Sequence, residues 1–518
     1  MQMVGVVTLP EDILKKIKDN IRPQWRVCFW TAVAVGLIAH IYKLTNWLPN
    51  WDSLVFRYDG QNMIALGRWF LPVASALSTF YDLPWVTGLI AVLLYGLGAV
   101  CICEMFGVEK QITAGLIGAG VVSFPTVTSV LMYNYVADAY ALSFLLACVA
   151  ALWLTGEKNQ CVPAVLLIAL SVGIYQAYIT VTIMLLLCYL IRKAMAPDAK
   201  VKPLLAQMGK FLLAGIVGMV LYYLILLLIL KLTGTELLEY QGMGDALSLS
   251  GLDLAGSLYT IKESFMGYFF DFSKGIRVFP VVNIIVFGCT LVFYLADAVR
   301  NKLKISNLLV MGVCAVALPF GASALAFINS SVDYHNLMKM GFFVFYLFLI
   351  LQYEQQEWKK PKWNKVRSWL VLAVTGVLIV HNILVANISY HKLNMAYEKS
   401  YGTLIRIADR IDQTEGSAAC GRILVLGELS GSEAYSSDIA PDMTGTTDGF
   451  IIRADDETVG QSVLCSALND YCHKDYDFLA GEEKAALLAK FDTGSMENWP
   501  GKNCVCIVDD VIIIKLSE

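Results

Sequence analysis

Apolar stretches long enough to cross a lipid bilayer recur down most of this chain, and no other feature constrains its fold so strongly. A bilayer core of about 30 Å calls for about 20 helical residues per span, and about eleven segments meet or approach that length. They are 27–46, 85–104, 112–131, 139–155, 161–175, 177–191, 211–232, 278–299, 306–328, 339–353 and 369–388. Lipid offers the backbone no hydrogen-bond partners, so runs of this kind read as helices that satisfy themselves. The composition agrees: 57% of the 518 residues are apolar and 16% are charged, which excludes an ordinary soluble enzyme of this length. The expected fold is an all-α polytopic membrane protein.

Charge position gives the orientation. The first apolar run, Val27 to Tyr42, follows Lys15, Lys16, Lys18, Arg22 and Arg26 and precedes no small-residue cleavage site, so it reads as a retained helix. With segment 1–26 in the cytoplasm, the loops on that side carry about 20 Lys and Arg. The opposite loops carry about five: Arg57, Arg68, Lys262, Lys274 and Arg277. An odd number of spans then sends the C-terminus outside. The stretch 161–191 decides the parity, being too long for one upright helix and short for two. A single span would strand Arg192, Lys193, Lys200 and Lys202 outside, so a hairpin breaking near Gly173-Ile174-Tyr175-Gln176 is expected. Arms of about 15 residues reach only about 22 Å. The break then lies below the outer surface, where irregular backbone survives only against protein or a wet cavity, which makes Tyr175 and Gln176 cavity candidates. The net charge of −4 is small and mixed and suggests no nucleic-acid partner.

Two outer loops, 47–84 and 233–277, are long enough to hold structure of their own. In the first, Ile64, Trp69, Phe70, Val73, Leu77 and Phe80 are spaced for an interfacial helix along the membrane surface. The transmembrane domain is expected over 27–390, and from about 391 the pattern changes. A helix presenting Leu393, Tyr397, Tyr401, Leu404 and Ala408 leads into a buried strand, Arg422-Ile-Leu-Val-Leu-Gly427. Cys504 to Val508, Asp509-Asp510 and Val511 to Ile514 read as a terminal hairpin. Residues 391–518 are therefore expected to form a small extracytoplasmic α/β domain. Outside the cell, its Cys420, Cys465, Cys472, Cys504 and Cys506 could form one or two disulfides with at least one thiol left over. No CxxC or Cys/His spacing points to zinc.

The first outer loop concentrates Asp52, Arg57 and Asp59, followed by Gly67-Arg68-Trp69-Phe70. A carboxylate there can take the proton of an attacking hydroxyl. An arginine can pair with phosphate oxygens and stabilise the charge on a departing phosphate. The plainer alternative is N-capping by Asp52 and Ser53, with Arg68 anchored to headgroups. The next loop sets Asp138 among Tyr133, Tyr135 and Tyr140, either as rings that stack on sugar faces or as an interfacial belt with Asp138 as a cap. The loop 329–338 offers Asp333, His335 and Asn336, followed by Lys339, which can meet a lipid phosphate or simply snorkel. His40 and His381 stand alone in apolar runs, and Pro125 marks a kink. A continuous helix from Asp52 to Arg68 would leave the two about 160° apart. A shared site therefore requires a broken loop, and Gly60 and Gly67 offer the bends.

Asp52, Gly67-Arg68-Trp69, the aromatic/Ala-Asp pattern from Tyr135 to Tyr140, and Gly173-Ile-Tyr175-Gln176 together resemble the Gtr type II family of membrane glucosyltransferases, of the GT-C structural class. The likeness follows the order of spans to about residue 390. It implies a GT-C-like enzyme of the bacterial inner (plasma) membrane, with a cytoplasmic N-terminus and an extracytoplasmic tail. Such an enzyme moves a hexose, usually glucose, from a polyprenyl-phosphate-linked donor to a cell-surface glycan. Carried over by position, Asp52 is the catalytic base, Arg68 holds the donor phosphate and Asp138 positions sugar hydroxyls. Tyr135, Tyr175, Gln176 and Lys339 complete the donor-binding set, with Arg57, Asp59 and His335 as secondary candidates. The implied partners are the lipid-linked donor, the glycan acceptor and membrane lipid. Neither metal nor other cofactor is implied, and no nucleotide-binding glycine loop occurs. Family members often carry two adjacent acids where this chain has Trp51-Asp52, which counts against a two-carboxylate or metal-dependent scheme. The alternatives are a lipid-linked-sugar flippase or transporter, for which broken helices are also expected, and a glycan polymerase or ligase using a pyrophosphate-linked oligosaccharide.

Overall fold

A computed structural model describes the chain except residues 1–9, 56–62, 79–80, 157–159, 239–252, 273–277, 355–360, 430–448, 452–456 and 518. The expectations for Arg57, Asp59 and Gly60 lie outside the described residues. A polar helix, α1 (Pro10–Asn20), precedes α2 (Pro23–Thr45), whose Pro23 occupies a first-turn position where a helix needs no N–H. Two five-residue pieces, α3 (Trp51–Val55) and α4 (Leu71–Ser75), lie in the first long loop before α5 (Pro84–Met105). Next come α6 (Gln111–Ser123) and α7 (Pro125–Met132), one span interrupted at Phe124. Pro125 forces the residue before it out of the helical region, to φ −63° and ψ 138°. The chain continues through α8 (Ala137–Thr155), α9 (Cys161–Ile174), α10 (Ile179–Ala194) and α11 (Val201–Thr233). Then follow α12 (Leu254–Phe269), α13 (Val278–Arg300), α14 (Ile305–Ala322), α15 (Phe343–Ile350) and α16 (Pro361–Asp412). Among the described residues nine helical stretches are long and apolar enough to cross a membrane. Two shorter ones, Cys161–Ile174 and Met340–Tyr353, fall where the sequence showed its shortest spans.

The 161–191 run is broken as expected: Tyr175 is extended, at φ −153° and ψ 118°, between α9 and α10. The two arms run in opposite directions. Tyr189, near the end of α10, donates to the Thr155 carbonyl that precedes α9 (3.5 Å), whereas Gln176 at the break donates to the Leu66 carbonyl (2.8 Å). Polar contacts sort the other helix ends into the same two faces. On one, Lys210 reaches Leu154, Asn301 reaches Met195, and Arg192 reaches Leu351. On the other, Tyr222 reaches Gly67 and Asn134 reaches Asp82. The loops rich in Lys and Arg share the first face, and both long loops share the second. Between spans, small residues let backbones approach closely: a Cβ on Gly118 would stand 2.2 Å from the Cys28 carbonyl oxygen.

No proline interrupts 362–412, and α16 runs unbroken for 52 residues from the last span into the tail, about 78 Å at 1.5 Å per residue. The expected division near 391 is thus a continuous helix. Its far end buries Leu404, Ile407, Ala408 and Ile411 against a sheet. That sheet comprises β1 (Arg422–Leu426), β2 (Asp477–Phe478), β3 (Val505–Val508) and β4 (Val511–Lys515), in the order β2-β1-β4-β3. β1 lies parallel to β2 and β4, while β3 and β4 form the predicted hairpin, turning at Asp509 and Asp510 with φ 46° and 62°, as a two-residue hairpin turn requires. Alternation sends Ile423, Val425, Ile512 and Ile514 toward α16, and Leu424, Val511 and Ile513 toward Leu487 of α18 (Gly481–Leu488). The remaining tail helix, α17 (Glu457–Cys472), packs over β1. Cys420, Cys465, Cys472, Cys504 and Cys506 are free thiols. The disulfides considered for the tail are not formed, and Cys420, Cys465 and Cys504 instead fill its apolar core.

Candidate functional site

The first long loop turns into the protein instead of lying along the membrane surface. Asn50 caps α3, its Oδ1 accepting from the Ser53 N–H (3.0 Å) and hydroxyl (3.1 Å), so the capping role considered for Asp52 and Ser53 belongs to Asn50. Asp52 stands half-buried on the first turn. Beyond 56–62 the chain makes a tight turn at Met63–Leu66, bends at Gly67 in the left-handed region (φ 75°), and restarts a helix at Leu71-Pro72. These two signals replace the expected interfacial helix with a re-entrant segment. Trp69 and Leu71 are buried, while Val73 is exposed. Trp69 stacks on Tyr222 (6.5 Å, 28°), and the Phe70 N–H donates to the Gly173 carbonyl (2.8 Å).

Arg68 is thereby aimed at the α9–α10 break. Its Nη1 donates to the Tyr140 hydroxyl (3.2 Å) and lies 3.1 Å from the Met63 sulfur. Its guanidinium sits 4.9 Å from the Tyr175 ring centre, and Tyr175 lies flat on Tyr140 (4.4 Å, 9°). An arginine braced in this way has its fork direction set by aromatic faces. Gln176 is fixed by donating to the Leu66 carbonyl and the Tyr222 hydroxyl. Arg68, Tyr175, Gln176 and His335, with Leu66 and Asn329, border a cleft of about 90 Å³. His335 Nδ1 is buried without a hydrogen bond among the described residues. Burial lowers the His335 pKa to about 4; Asp333 opposes this shift, and Lys339 and Arg68 add to it, so the imidazole is neutral near pH 7.

Tyr135 is buried, and its hydroxyl lies within the electrostatic reach of both Asp52 and Arg68, which gathers the three into one neighbourhood. Asp138 is not among the described residues that line the cleft. Two residues along α8 from Tyr140, it points about 200° away. It is buried, accepts from the Ala139 N–H (2.9 Å), and lies beside Ser78. Lys339 places its ammonium 5.7 Å from the Tyr268 ring centre, near His335 but off the cleft wall. Sequence reasoning missed the cluster at the base of the loop. Asp82 accepts from Trp47 Nε1 (3.0 Å) and Asn134 Nδ2 (2.8 Å), facing buried Lys43, which donates to the Leu48 carbonyl (2.9 Å). Lys43, a cation in the last turn of the first apolar run, was the available signal. The tail also grips this region: Trp47 stacks on Tyr471 (5.9 Å, 22°), α17 packs on α3, and Leu54 belongs to the tail's own apolar core. Among the described residues no three or more His, Cys, Asp or Glu side chains gather as a metal would require.

A many-span helical membrane protein, with an arginine carried on a re-entrant loop into a cleft at one face, is the class these elements define. The profile of the family described as Glucosyl transferase GtrII matches residues 41–352, and the chain belongs to that family. It is a membrane glycosyltransferase. The matched region includes Asp52, Arg68, Tyr175, Gln176 and His335 and stops before α16 and the tail. No curated protein and no solved structure matches the chain.

Proposed function

We propose that the enzyme transfers a hexose, in keeping with its family glucose, from a polyprenyl-phosphate-linked donor to a cell-surface glycan on the outer side of the membrane, by a single displacement that inverts the anomeric carbon. The observation that carries this reading is the Arg68 guanidinium braced on Tyr175 and Tyr140 in a cleft shared with neutral His335. A volume of about 90 Å³ holds about three waters. That suits an anionic group, and the sugar then extends beyond it toward Tyr135 and Asp52. The acceptor hydroxyl attacks C1 as Asp52 takes its proton. The bond from C1 to the phosphate oxygen breaks, and the charge left on the lipid phosphate is met by Arg68, with a hydrogen bond from His335. Gln176 and Tyr135 take the positioning role, since Asp138 lies under Ser78. The Lys and Arg bias supports an inner position for the N-terminal face, and this site lies on the opposite one.

The test uses vesicles given a polyprenyl-phosphate-hexose and acceptor. Asp52→Asn is expected to lower transfer about a hundredfold or more while the vesicles retain the donor. Unchanged transfer overturns the base assignment. Turnover of a pyrophosphate-linked oligosaccharide in preference to the monophosphate donor favours the polymerase or ligase reading.

A further inference from the structure

We propose a second ligand site, for the phosphate of an acidic phospholipid, at the end of α10 opposite Arg68. A cleft of about 680 Å³ opens where α2 begins and α5, α8 and α10 end. Arg22, Arg192 and Lys193 line it, and Glu104 is the one carboxylate among its described lining residues. Glu104 is taken by Arg22 (2.8 Å). Arg192 donates to the Leu351 carbonyl (3.3 Å) and lies over Phe106 (5.9 Å), and the Lys193 ammonium lies over Tyr189 (5.4 Å). Among the described residues neither cation forms an ion pair. The dipole of α10 gives a reason for cations in its last turn. It gives none for a cleft of this size in front of them.

Depth decides the occupant. The cleft lies at the ends of the spans, at the level of lipid headgroups. Arg22 rests on Trp25 (5.1 Å), an aromatic residue of the kind found at that level. Among the described lining residues, three cations against one acid favour a headgroup that carries a phosphate and no cation of its own, such as phosphatidylglycerol, over phosphatidylcholine. The site is independent of the reading of Asp52 and Arg68.

The experiment titrates the full-length protein in detergent with phosphatidylglycerol, phosphatidylcholine or inorganic phosphate, reading bound lipid by native mass spectrometry and melting temperature by fluorescence. Each juxtamembrane cation contributes about fivefold in affinity, so the double variant Arg192→Gln/Lys193→Gln is expected to bind phosphatidylglycerol about twenty-five-fold more weakly. Glu104→Gln, which releases Arg22, is expected to bind it more tightly. Equal binding of the two lipids by the parent protein, or undiminished binding by the double variant, overturns the proposal. Stabilisation by inorganic phosphate equal to that by phosphatidylglycerol overturns the lipid as occupant. If the double variant does not fold, Glu104→Gln decides, and the absence of a gain overturns the site.

Discussion

Replacing Gly173 with alanine tests whether the seat of the re-entrant loop sets the position of Arg68. A Cβ at this position would stand 2.7 Å from Trp69 Cε2, 2.8 Å from Cζ2 and 3.2 Å from Phe70 Cβ. Carbon atoms in contact prefer about 3.5–4.0 Å, so the indole or the end of α9 must move by about 1 Å. Trp69 is stacked on Tyr222, and the backbone of Phe70 is tied to the Gly173 carbonyl, so the strain passes into the loop at Arg68. Overpacking by one methyl costs about 1–3 kcal/mol, and the gain of alanine over glycine near a helix end offsets up to about 1 kcal/mol of it. The protein should therefore remain folded. A reacting group displaced by about 1 Å loses about a hundredfold in rate, so transfer should fall about thirtyfold to a hundredfold in Gly173→Ala, and partly recover when Trp69→Phe provides room. The assay is initial transfer rate in vesicles, normalised to folded protein by size-exclusion and melting. A folded Gly173→Ala enzyme with parental rates would refute the claim that this contact positions Arg68.

Two further outcomes are expected. Tyr471→Ala removes the ring stacked on Trp47 and loosens the tail from α3, so the maximal rate should fall with little change in donor KM; a parental rate would show that the tail does not hold the Asp52 helix in place. His335 has a folded pKa lowered from 6.5 to about 4, so between those values the unfolded chain binds a proton that the folded protein refuses, and stability is full above pH 6.5 and declines as pH falls toward 4. The melting temperature should drop across that window and His335→Asn should flatten the drop; an identical slope in the variant would place the pH dependence elsewhere.

The parts of the fold set by local rules were readable from sequence. Pro125 could only interrupt its span, Asp509-Asp510 between two apolar runs could only be a turn, and the basic residues after Ile191 required a break near Tyr175 to keep them on their own side. The path of 63–78 was not readable, because one spacing of Trp69, Phe70 and Val73 serves equally for a helix on a membrane and for a segment folded inward. What chooses between them is Gly173, more than ninety residues away in sequence, whose missing side chain leaves room for the indole. The side of Asp138 was hidden for a similar reason: a residue in the first turn of a helix is adjacent in sequence to both of its faces.

The distance between Asp52 and Arg68 carries the same lesson into the site. On one straight helix the two would face away from each other, so any joint role demands that the loop spend its sixteen-residue separation on turning. The left-handed Gly67 and the helix restart at Pro72 provide that turn at one end, and the tail provides an anchor at the other by taking Leu54, two residues from Asp52, into its own core. Asp52 is thus held against the tail and Arg68 against the break between α9 and α10. Because α16 joins that domain to the last span as one helix, the two supports are parts of a single frame. A domain outside the matched family region therefore holds the residue on which the proposed proton transfer depends, and this makes Tyr471 and Leu54 as informative to mutate as the residues of the cleft itself.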